Sequence, residues 1–177
     1  MSEFHLETPH LILRELNPGD IDDLAAMFAN PEVMRYIGAG RVLTREEARA
    51  SLDRGIAHYA SDGFGLWATV EKATGRLVGR CGLIVWDDID GRAETEVGYL
   101  LAREAWGKGY ASEAALASRD FALRDLGRTR LISLIYHDNW RSIRVALGIG
   151  MSYEKDTLLY GSTVALYSLG DRPPAAP

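Results

Sequence analysis

The chain has 177 residues, of which 47% are hydrophobic and 25% charged, and its formal net charge is −5. This length and composition predict one globular domain with a sizeable core. The acidic balance argues against nucleic acid as a direct partner, because phosphate binding needs a basic surface. Apolar runs are all far shorter than the roughly 20 residues that span a bilayer, so no membrane association is expected.

The start of the chain has neither the basic segment nor the apolar segment of a signal peptide, which favours a cytoplasmic location. The single cysteine, Cys81, lies within an apolar strand pattern, so a buried and unreactive thiol is expected. The four histidines are scattered along the chain, and no cysteine cluster accompanies them. A metal site is therefore not expected.

Hydrophobic periodicity and turn residues predict the elements in chain order. They are a strand at 11–16, a helix that begins at 17–20 and ends at 30–31, a loop at 32–42, a helix at 44–62, strands at 64–71, 77–85 and 93–101, a helix at 110–125, a strand at 131–136, a helix at 139–147, and strands at 151–158 and 163–169. This order predicts an α+β fold, with a mixed, mainly antiparallel sheet of six to seven strands and about four helices. We expect one domain over 1–170 and a disordered Pro/Ala tail over 171–177.

A glycine-rich segment, Trp106-Gly107-Lys108-Gly109-Tyr110-Ala111-Ser112, lies where a strand gives way to a helix. Glycine allows a tight turn and a close approach of a ligand to the backbone. The first N–H groups of a helix have no internal partner, and the helix dipole adds positive charge there. The segment therefore predicts a phosphate site, although a glycine-rich helix start without a ligand is the alternative.

Other segments accompany this motif in a fixed order: 11–16 (LILREL), 30–36 (NPEVMRY), 63–67 (GFGLW), 96–101 (EVGYLL), 139–145 (NWRSIRV) and 150–151 (GM). Together with the element order, they resemble the GNAT superfamily of acyl-CoA-dependent N-acyltransferases. Within it, the chain looks like the ribosomal-protein-alanine acetyltransferases of the RimJ/RimL type. The resemblance covers about residues 8–169.

The resemblance implies that acetyl-CoA is the co-substrate and that backbone N–H groups of the glycine-rich segment bind its pyrophosphate. Many relatives begin this segment with Arg or Gln, whereas this chain has Trp106. Lys108 is therefore expected either to supply the charge or to be a solvated loop lysine. The pantetheine arm is expected between strands 97–101 and 131–136. The implied cofactor-binding residues are Leu100, Trp106, Gly107, Lys108, Gly109, Tyr110, Ala111, Ser112, Asn139 and Ser142.

Two departures from the family pattern affect the last part of this site. Ala146 stands where many relatives have a tyrosine that protonates the departing thiolate. That role is therefore assigned to Ser142. The alternative is that Ser142 is only a polar residue near CoA, without a role in proton transfer. Asn139 is expected to contact pantetheine, to cap the helix, or both. Leu147-Gly148 replaces the usual Glu-Lys, and a glycine within a helix costs about 1 kcal/mol, which puts the last turn in doubt.

Aminolysis of a thioester needs a proton acceptor and a donor to the oxyanion. On a strand, Glu94, Glu96, Gly98 and Leu100 share a face. Glu96 is the candidate base, with Glu94 or a solvated Glu96 as alternatives, and the Leu100 N–H is the candidate oxyanion donor. Four aromatic residues are candidates for the acceptor pocket, although core positions are the more common role for such residues: Tyr36, Trp67, Trp86 and Tyr99.

These expectations predict an N-acetyltransferase that transfers acetyl from acetyl-CoA to a primary amine by direct attack. The acidic chain favours a cationic acceptor, namely the N-terminal amine of a basic protein, ahead of a small amine such as a polyamine, amino acid or antibiotic. The loop over 32–42 is expected to border the acceptor. A non-catalytic CoA-binding sensor or scaffold is the alternative from another class. A homodimer is compatible with this branch.

Overall fold

The computed structural model describes residues 4–170. Its strands are β1 (His5–Glu7), β2 (Leu11–Arg14), β3 (Leu66–Glu71), β4 (Leu77–Ile89), β5 (Arg92–Leu101), β6 (Arg130–Ile135), β7 (Ser152–Leu159) and β8 (Ser162–Gly170). Its α-helices are α1 (Ile21–Phe28), α2 (Pro31–Met34), α3 (Arg45–Asp62), α4 (Tyr110–Arg124) and α5 (Trp140–Gly148). Short 3-10 turns cover Pro18–Asp20 and Arg103–Ala105. None of these helices is long and apolar enough to cross a bilayer.

The strands form one mixed sheet in the order β1-β2-β3-β4-β5-β6-β8-β7. All neighbours are antiparallel except β5 and β6, which are parallel. This confirms the predicted mixed, mainly antiparallel sheet. The counts differ from the prediction, since residues 4–170 form eight strands rather than six to seven and five α-helices rather than about four.

The additional elements have local causes. Strand β1 spans only three residues, too few for hydrophobic alternation to reveal it, and it forms by pairing with β2. The predicted loop over 32–42 begins with α2, because the Asn30 side chain accepts the Glu32 N–H and Pro31 supplies a preset φ at the first helical position. The predicted disordered tail over 171–177 lies outside the described residues.

The sheet has a hydrophobic core on each face. Helix α4 packs on one face through its small residues Ala114, Ala115 and Ala122, while α1 and α3 cover the other face. Strand β5 contributes to both, because successive side chains of a strand alternate: Val97 belongs to the α4 core and Leu100 to the α1–α3 core. Cys81 is fully buried, as predicted, and burial raises the pKa of its thiol to about 12.

Trp67 has the core role that the sequence analysis gave as the more common one for aromatic residues, and it does not line the acceptor pocket. Its side chain is only 1% exposed and belongs to the α4 core. The ring stacks on Phe4, with centroids 4.9 Å apart, and meets Phe121 edge-on at 5.3 Å. Odd and even positions of β3 point to opposite faces, and Trp67 is on the face that does not border the acceptor cavity.

Strands β5 and β6 separate soon after they meet. Their pairing has a single register position, Glu96 opposite Ile132. Beyond it, two side-chain hydrogen bonds join the strands: the Leu134 N–H donates to Glu96 Oε1 at 3.1 Å, and Ser133 Oγ donates to the Val97 carbonyl at 2.9 Å. Strand β6 stays paired with β8 along all its length while it diverges from β5, and a gap opens between β5 and β6.

Replacing Ser133 by alanine leaves the buried Val97 carbonyl without this donor. We expect a loss of about 1–3 kcal/mol in the free energy of unfolding, the usual cost of an unsatisfied buried polar group. Chemical denaturation measures it, and Ser61→Ala is the matched control because the Ser61 hydroxyl bonds a carbonyl at the exposed end of α3. Equal stability of the two variants would contradict this account of the gap.

Candidate active site

A cavity of about 260 Å³ lies where β5 and β6 separate. Four residues predicted for the site line it: Glu96, Leu100, Asn139 and Ser142. The alternative base Glu94 does not line it, and neither does the glycine-rich loop, which lies beyond the end of β5. The structure therefore brings together the residues expected at the reacting atoms and leaves the expected phosphate loop outside the cavity.

The glycine-rich loop has the backbone conformation that its sequence predicts. Gly107 and Gly109 have φ values of 79° and 83°, and a Cβ added to either would meet no atom within 4 Å. Gly109 is the N-cap of α4 and has no side chain to offer, whereas Thr44 caps α3 and Asn139 caps α5. The first N–H groups of α4 therefore face open space and can accept an anion.

Lys108 lies in an ion pair, and its expected contact with the phosphate stays a prediction. Its Nζ lies 3.1 Å from Glu71 Oε1, which also accepts the Tyr110 hydroxyl at 2.6 Å. These bonds from Tyr110, Thr74 and Lys108 lower the pKa of the Glu71 carboxyl to about 2, so it remains an anion at neutral pH. Lys108 is thus neutralised by Glu71, and the contact fixes the loop to the end of β3.

Trp106 connects the loop to its surroundings. Its Nε1 donates to the Leu101 carbonyl at 3.0 Å, and its ring lies between two guanidinium groups, Arg103 at 4.7 Å and Arg141 at 4.8 Å from the centroid. Arg103 is paired with Glu32, but no carboxylate pairs with Arg141 within residues 4–170. Arg141 was missed from the sequence, although an arginine in the first turn after a capping asparagine was the available signal.

Glu96 is buried, with 8% of its surface exposed, so the alternative of a solvated carboxylate is wrong. Trp86 Nε1 donates to Oε2 at 2.7 Å, and the Leu134 N–H donates to Oε1. Burial raises the pKa of Glu96 to about 7, while these two donors oppose the rise. A carboxyl group that titrates near neutrality is suited to accept a proton and to release it again.

Glu94 is engaged elsewhere. Arg130 Nε lies 2.9 Å from Glu94 Oε1, and Arg130 Nη1 lies 2.9 Å from Glu154 Oε2. All three side chains are at least nine-tenths buried, so each charge depends on the others. Glu94 therefore has a charge partner inside the protein, and Glu96 has none among the described residues. This difference favours Glu96 over Glu94 as the proton acceptor.

Asn139 and Ser142 form a small hydrogen-bonded unit at the start of α5. Asn139 Nδ2 donates to Ser142 Oγ at 3.0 Å, while Asn139 Oδ1 accepts the Ser142 N–H at 3.4 Å. The Ser142 hydroxyl thus accepts one bond and keeps its own hydrogen for another partner. Tyr99 Oη donates to the Ser142 carbonyl at 3.3 Å. Helix α5 continues through Gly148, so the doubt about its last turn is not borne out.

Aromatic rings surround the mouth of the cavity. The predicted Tyr36, Trp86 and Tyr99 all line it, and Tyr136 and Tyr160 join them. Tyr36 lies 6.0 Å from Tyr136, and Trp86 lies 6.3 Å from Tyr160, measured between ring centroids. The last two tyrosines come from the end of β6 and from the β7–β8 turn, so only the folded sheet brings them to this place.

Comparisons with known proteins agree with this geometry. The GNAT acetyltransferase domain family matches residues 10–152. The uncharacterized N-acetyltransferase YoaA of Bacillus subtilis is 31% identical over 149 residues, 84% of this chain and 83% of YoaA. An acetyltransferase from Agrobacterium tumefaciens has a TM-score of 0.81 at 26% identity, over 97% of this chain and 96% of the other.

The ribosomal L7/L12 alpha-N-protein acetyltransferase RimL, solved in complex with coenzyme A, is similar in fold. Its TM-score is 0.76 at 16% identity, over 94% of this chain and 98% of that one. At this identity the likeness is one of fold alone. With the family match and YoaA, the class is clear: the chain belongs to the GNAT family of acetyltransferases and is an acyl-CoA-dependent N-acetyltransferase.

Replacing Gly109 by valine puts a side chain into the open space beside the first N–H groups of α4. We expect acetyl-CoA affinity to fall about tenfold or more, since hydrogen bonds to a charged group are lost. Calorimetry measures this, with Gly127→Val as control, because Gly127 also has a positive φ of 63° and no atom within 4 Å. Unchanged affinity in a folded Gly109→Val protein would contradict binding at this loop.

Proposed function

We propose that the chain transfers acetyl from acetyl-CoA directly to a primary amine that enters the cavity between β5 and β6. The observation that carries this proposal is the meeting of Glu96, Leu100 and Ser142 at one cavity, with Glu96 buried and unpaired by any cation. A buried carboxyl group without a cation lowers the stability of the fold, and a protein that only binds CoA has no use for such a group. This favours catalysis over a sensor or scaffold.

Each of the three groups has a chemical task in this proposal. Glu96 accepts the amine proton, directly or through a water, as the nitrogen–carbon bond forms. The Leu100 N–H donates to the oxyanion that develops on the thioester carbonyl. When the carbon–sulfur bond breaks, Ser142 gives its hydroxyl proton to the departing thiolate and regains one from solvent. The products are the acetylated amine and CoA.

The co-substrate would be held outside the cavity and reach into it. The N–H groups over 106–112 would bind the pyrophosphate, and the gap between β5 and β6 would take the pantetheine arm beside Asn139. Arg141 lies against Trp106 and has no carboxylate partner among residues 4–170, so we assign to it the positive charge that Lys108 does not supply. These features fit acetyl-CoA, the phosphate-bearing acyl donor of the GNAT family.

The acceptor follows from what borders the cavity. Tyr36, Ile37 and Gly38 of the 32–42 segment line it, and Tyr136 Oη donates to the Gly38 carbonyl at 3.1 Å. The position of this segment at the cavity supports the acceptor predicted from the sequence, namely the N-terminal amine of a basic protein. A small amine is the second candidate, because about 260 Å³ holds one residue or one small molecule.

Replacing Glu96 by glutamine removes the proton acceptor. We expect kcat to fall roughly 10²–10⁴-fold while acetyl-CoA still binds, the usual contribution of a general base. In the unmodified enzyme, kcat/KM should rise with pH through about 7, because only the ionised Glu96 accepts a proton. A loss smaller than about threefold would exclude Glu96 as the base.

Trp86→Phe provides a sharper form of this test. The indole N–H lowers the pKa of Glu96, so its removal should move the midpoint of the pH profile to higher pH. Trp140→Phe is the control, since Trp140 is an exposed tryptophan on α5 that does not line the cavity. An unshifted midpoint in Trp86→Phe would mean that another group titrates in the profile.

Replacing Ser142 by alanine removes the proposed proton donor to sulfur. We expect kcat to fall about 10²-fold or more, with a much smaller change in acetyl-CoA affinity. Ser142→Thr keeps a hydroxyl and should recover a large part of kcat. Equal losses in kcat and in affinity would assign Ser142 to binding alone, and equal kcat for alanine and threonine would show that the hydroxyl is not used.

A further inference from the structure

Arg80 lines the cavity and is the cation within it that the proposed mechanism does not use. Its side chain is partly buried between two helices that cover this face of the sheet. The guanidinium lies 4.8 Å from the centre of the Phe28 ring of α1, and Nη1 donates to Ser51 Oγ of α3 at 3.2 Å. Within residues 4–170, no carboxylate lies within ion-pair distance of Arg80.

This lack of a partner is unusual for an arginine held between two helices. Arg130, which is more fully buried, has both Glu94 and Glu154. A guanidinium offers five N–H donors, and Ser51 accepts only one of those of Arg80. Burial, together with the neighbouring Arg54, lowers the pKa of Arg80 to about 10, so it is still a cation at neutral pH. An uncompensated charge of this kind is costly unless an anion joins it.

The position of Arg80 relates it to the reacting groups. It lies opposite Leu100 in the β4–β5 ladder, and Glu96 lies four residues before Leu100 on the same face. At the rise of a strand, the Cα atoms of Arg80 and Glu96 are therefore about 13 Å apart along the sheet, and the two side chains extend from these positions. Between them the floor is apolar, because Ile84 and Leu66 lie over Gly98. A small molecule that lies on this apolar floor can contact both Arg80 and Glu96.

We propose that the acceptor is a primary amine that also carries an anionic group, above all a carboxylate, and that Arg80 binds this group. This inference rests on the proposed function, because it identifies the substrate class of the same cavity. A planar guanidinium binds a carboxylate through two parallel hydrogen bonds, which would fix the amine near Glu96. Arg80 is thus a specificity residue that acts on the far end of the acceptor.

The net charge of −5 predicts the opposite preference, for a cationic acceptor. That argument concerns the long-range field, which salt screens beyond about 10 Å. Inside the cavity, direct contact with an unpaired guanidinium decides which molecules remain bound. Two sources could supply the required chemistry: a free amino acid, or a polypeptide whose first residue is acidic.

The test compares acceptors that differ only in the anionic group. CoA release is measured with 5-aminopentanoate, 5-aminopentanamide and pentylamine, with the corresponding 4-aminobutanoate series, and with peptides that begin with aspartate or with asparagine. We expect kcat/KM to be about 10- to 100-fold higher for the carboxylate member of the preferred series. Preference among the free amino acids or among the peptides identifies the source.

Arg80→Gln should lower kcat/KM for the carboxylate acceptor about 10- to 100-fold and for its neutral analogue less than about threefold. Arg80→Lys keeps the charge and should lie between the two proteins. Arg124→Gln is the matched control, because it removes the same charge from an exposed position on α4, away from Arg80, and should leave the preference unchanged. Equal turnover of both members by the unmodified enzyme, or an equal loss for both in Arg80→Gln, would overturn the inference.

A binding measurement separates this inference from the proposed function. Calorimetry with the CoA-bound enzyme compares 5-acetamidopentanoate with N-pentylacetamide, and needs no turnover. If no amine released CoA, the proposed transfer would fail, while tighter binding of 5-acetamidopentanoate that Arg80→Gln abolishes would still support the anion site. Equal binding of the two compounds would refute the anion site even in an active enzyme.

Discussion

The separation of β5 from β6 is the constraint on which the rest of the site depends. Each strand is held on its other side, β5 by β4 and β6 by β8, so neither can move to close the gap. The gap begins at Glu96 and Ser133, whose side chains bond backbone groups of the opposite strand. The same carboxylate therefore helps to end the ladder and lines the cavity that this creates, which couples the shape of the site to its chemistry.

The buried charges of this sheet divide into two kinds. Arg130 of β6 is balanced by Glu94 of β5 and Glu154 of β7, so these buried charges compensate one another within the protein. Where the strands separate, Glu96 and Arg80 line the cavity without an ionic partner from the described residues. Unpaired charges persist in folded proteins chiefly at functional sites, because there a ligand or a proton compensates the charge. This contrast is the physical basis for both proposals.

In the proposed phosphate loop, the positive charge comes from another element of the fold. The Trp106 side chain offers no charge to an anion, but its ring lies 4.8 Å from the Arg141 guanidinium of α5. Lys108, the cation within the loop, pairs with Glu71 on β3. In this proposal, positive charge for the pyrophosphate comes from a helix that begins thirty residues after the start of α4.

The sequence by itself determined the element order, the left-handed glycines of the loop and the caps of α3 and α5, because these depend on neighbours within a few residues. It also indicated Glu96, Leu100, Asn139 and Ser142, which the structure brings to one cavity.

Only the tertiary structure decided which charges are paired and which are not. The partners that engage Glu94 and Lys108 lie 36 and 37 residues away in the chain. The burial of Trp67 likewise depended on which face of β3 met α4, and a strand pattern alone does not say which face borders the site. Arg80 stood in an ordinary strand pattern, and only the packing of α1 and α3 around it left a cation facing the cavity without an anion.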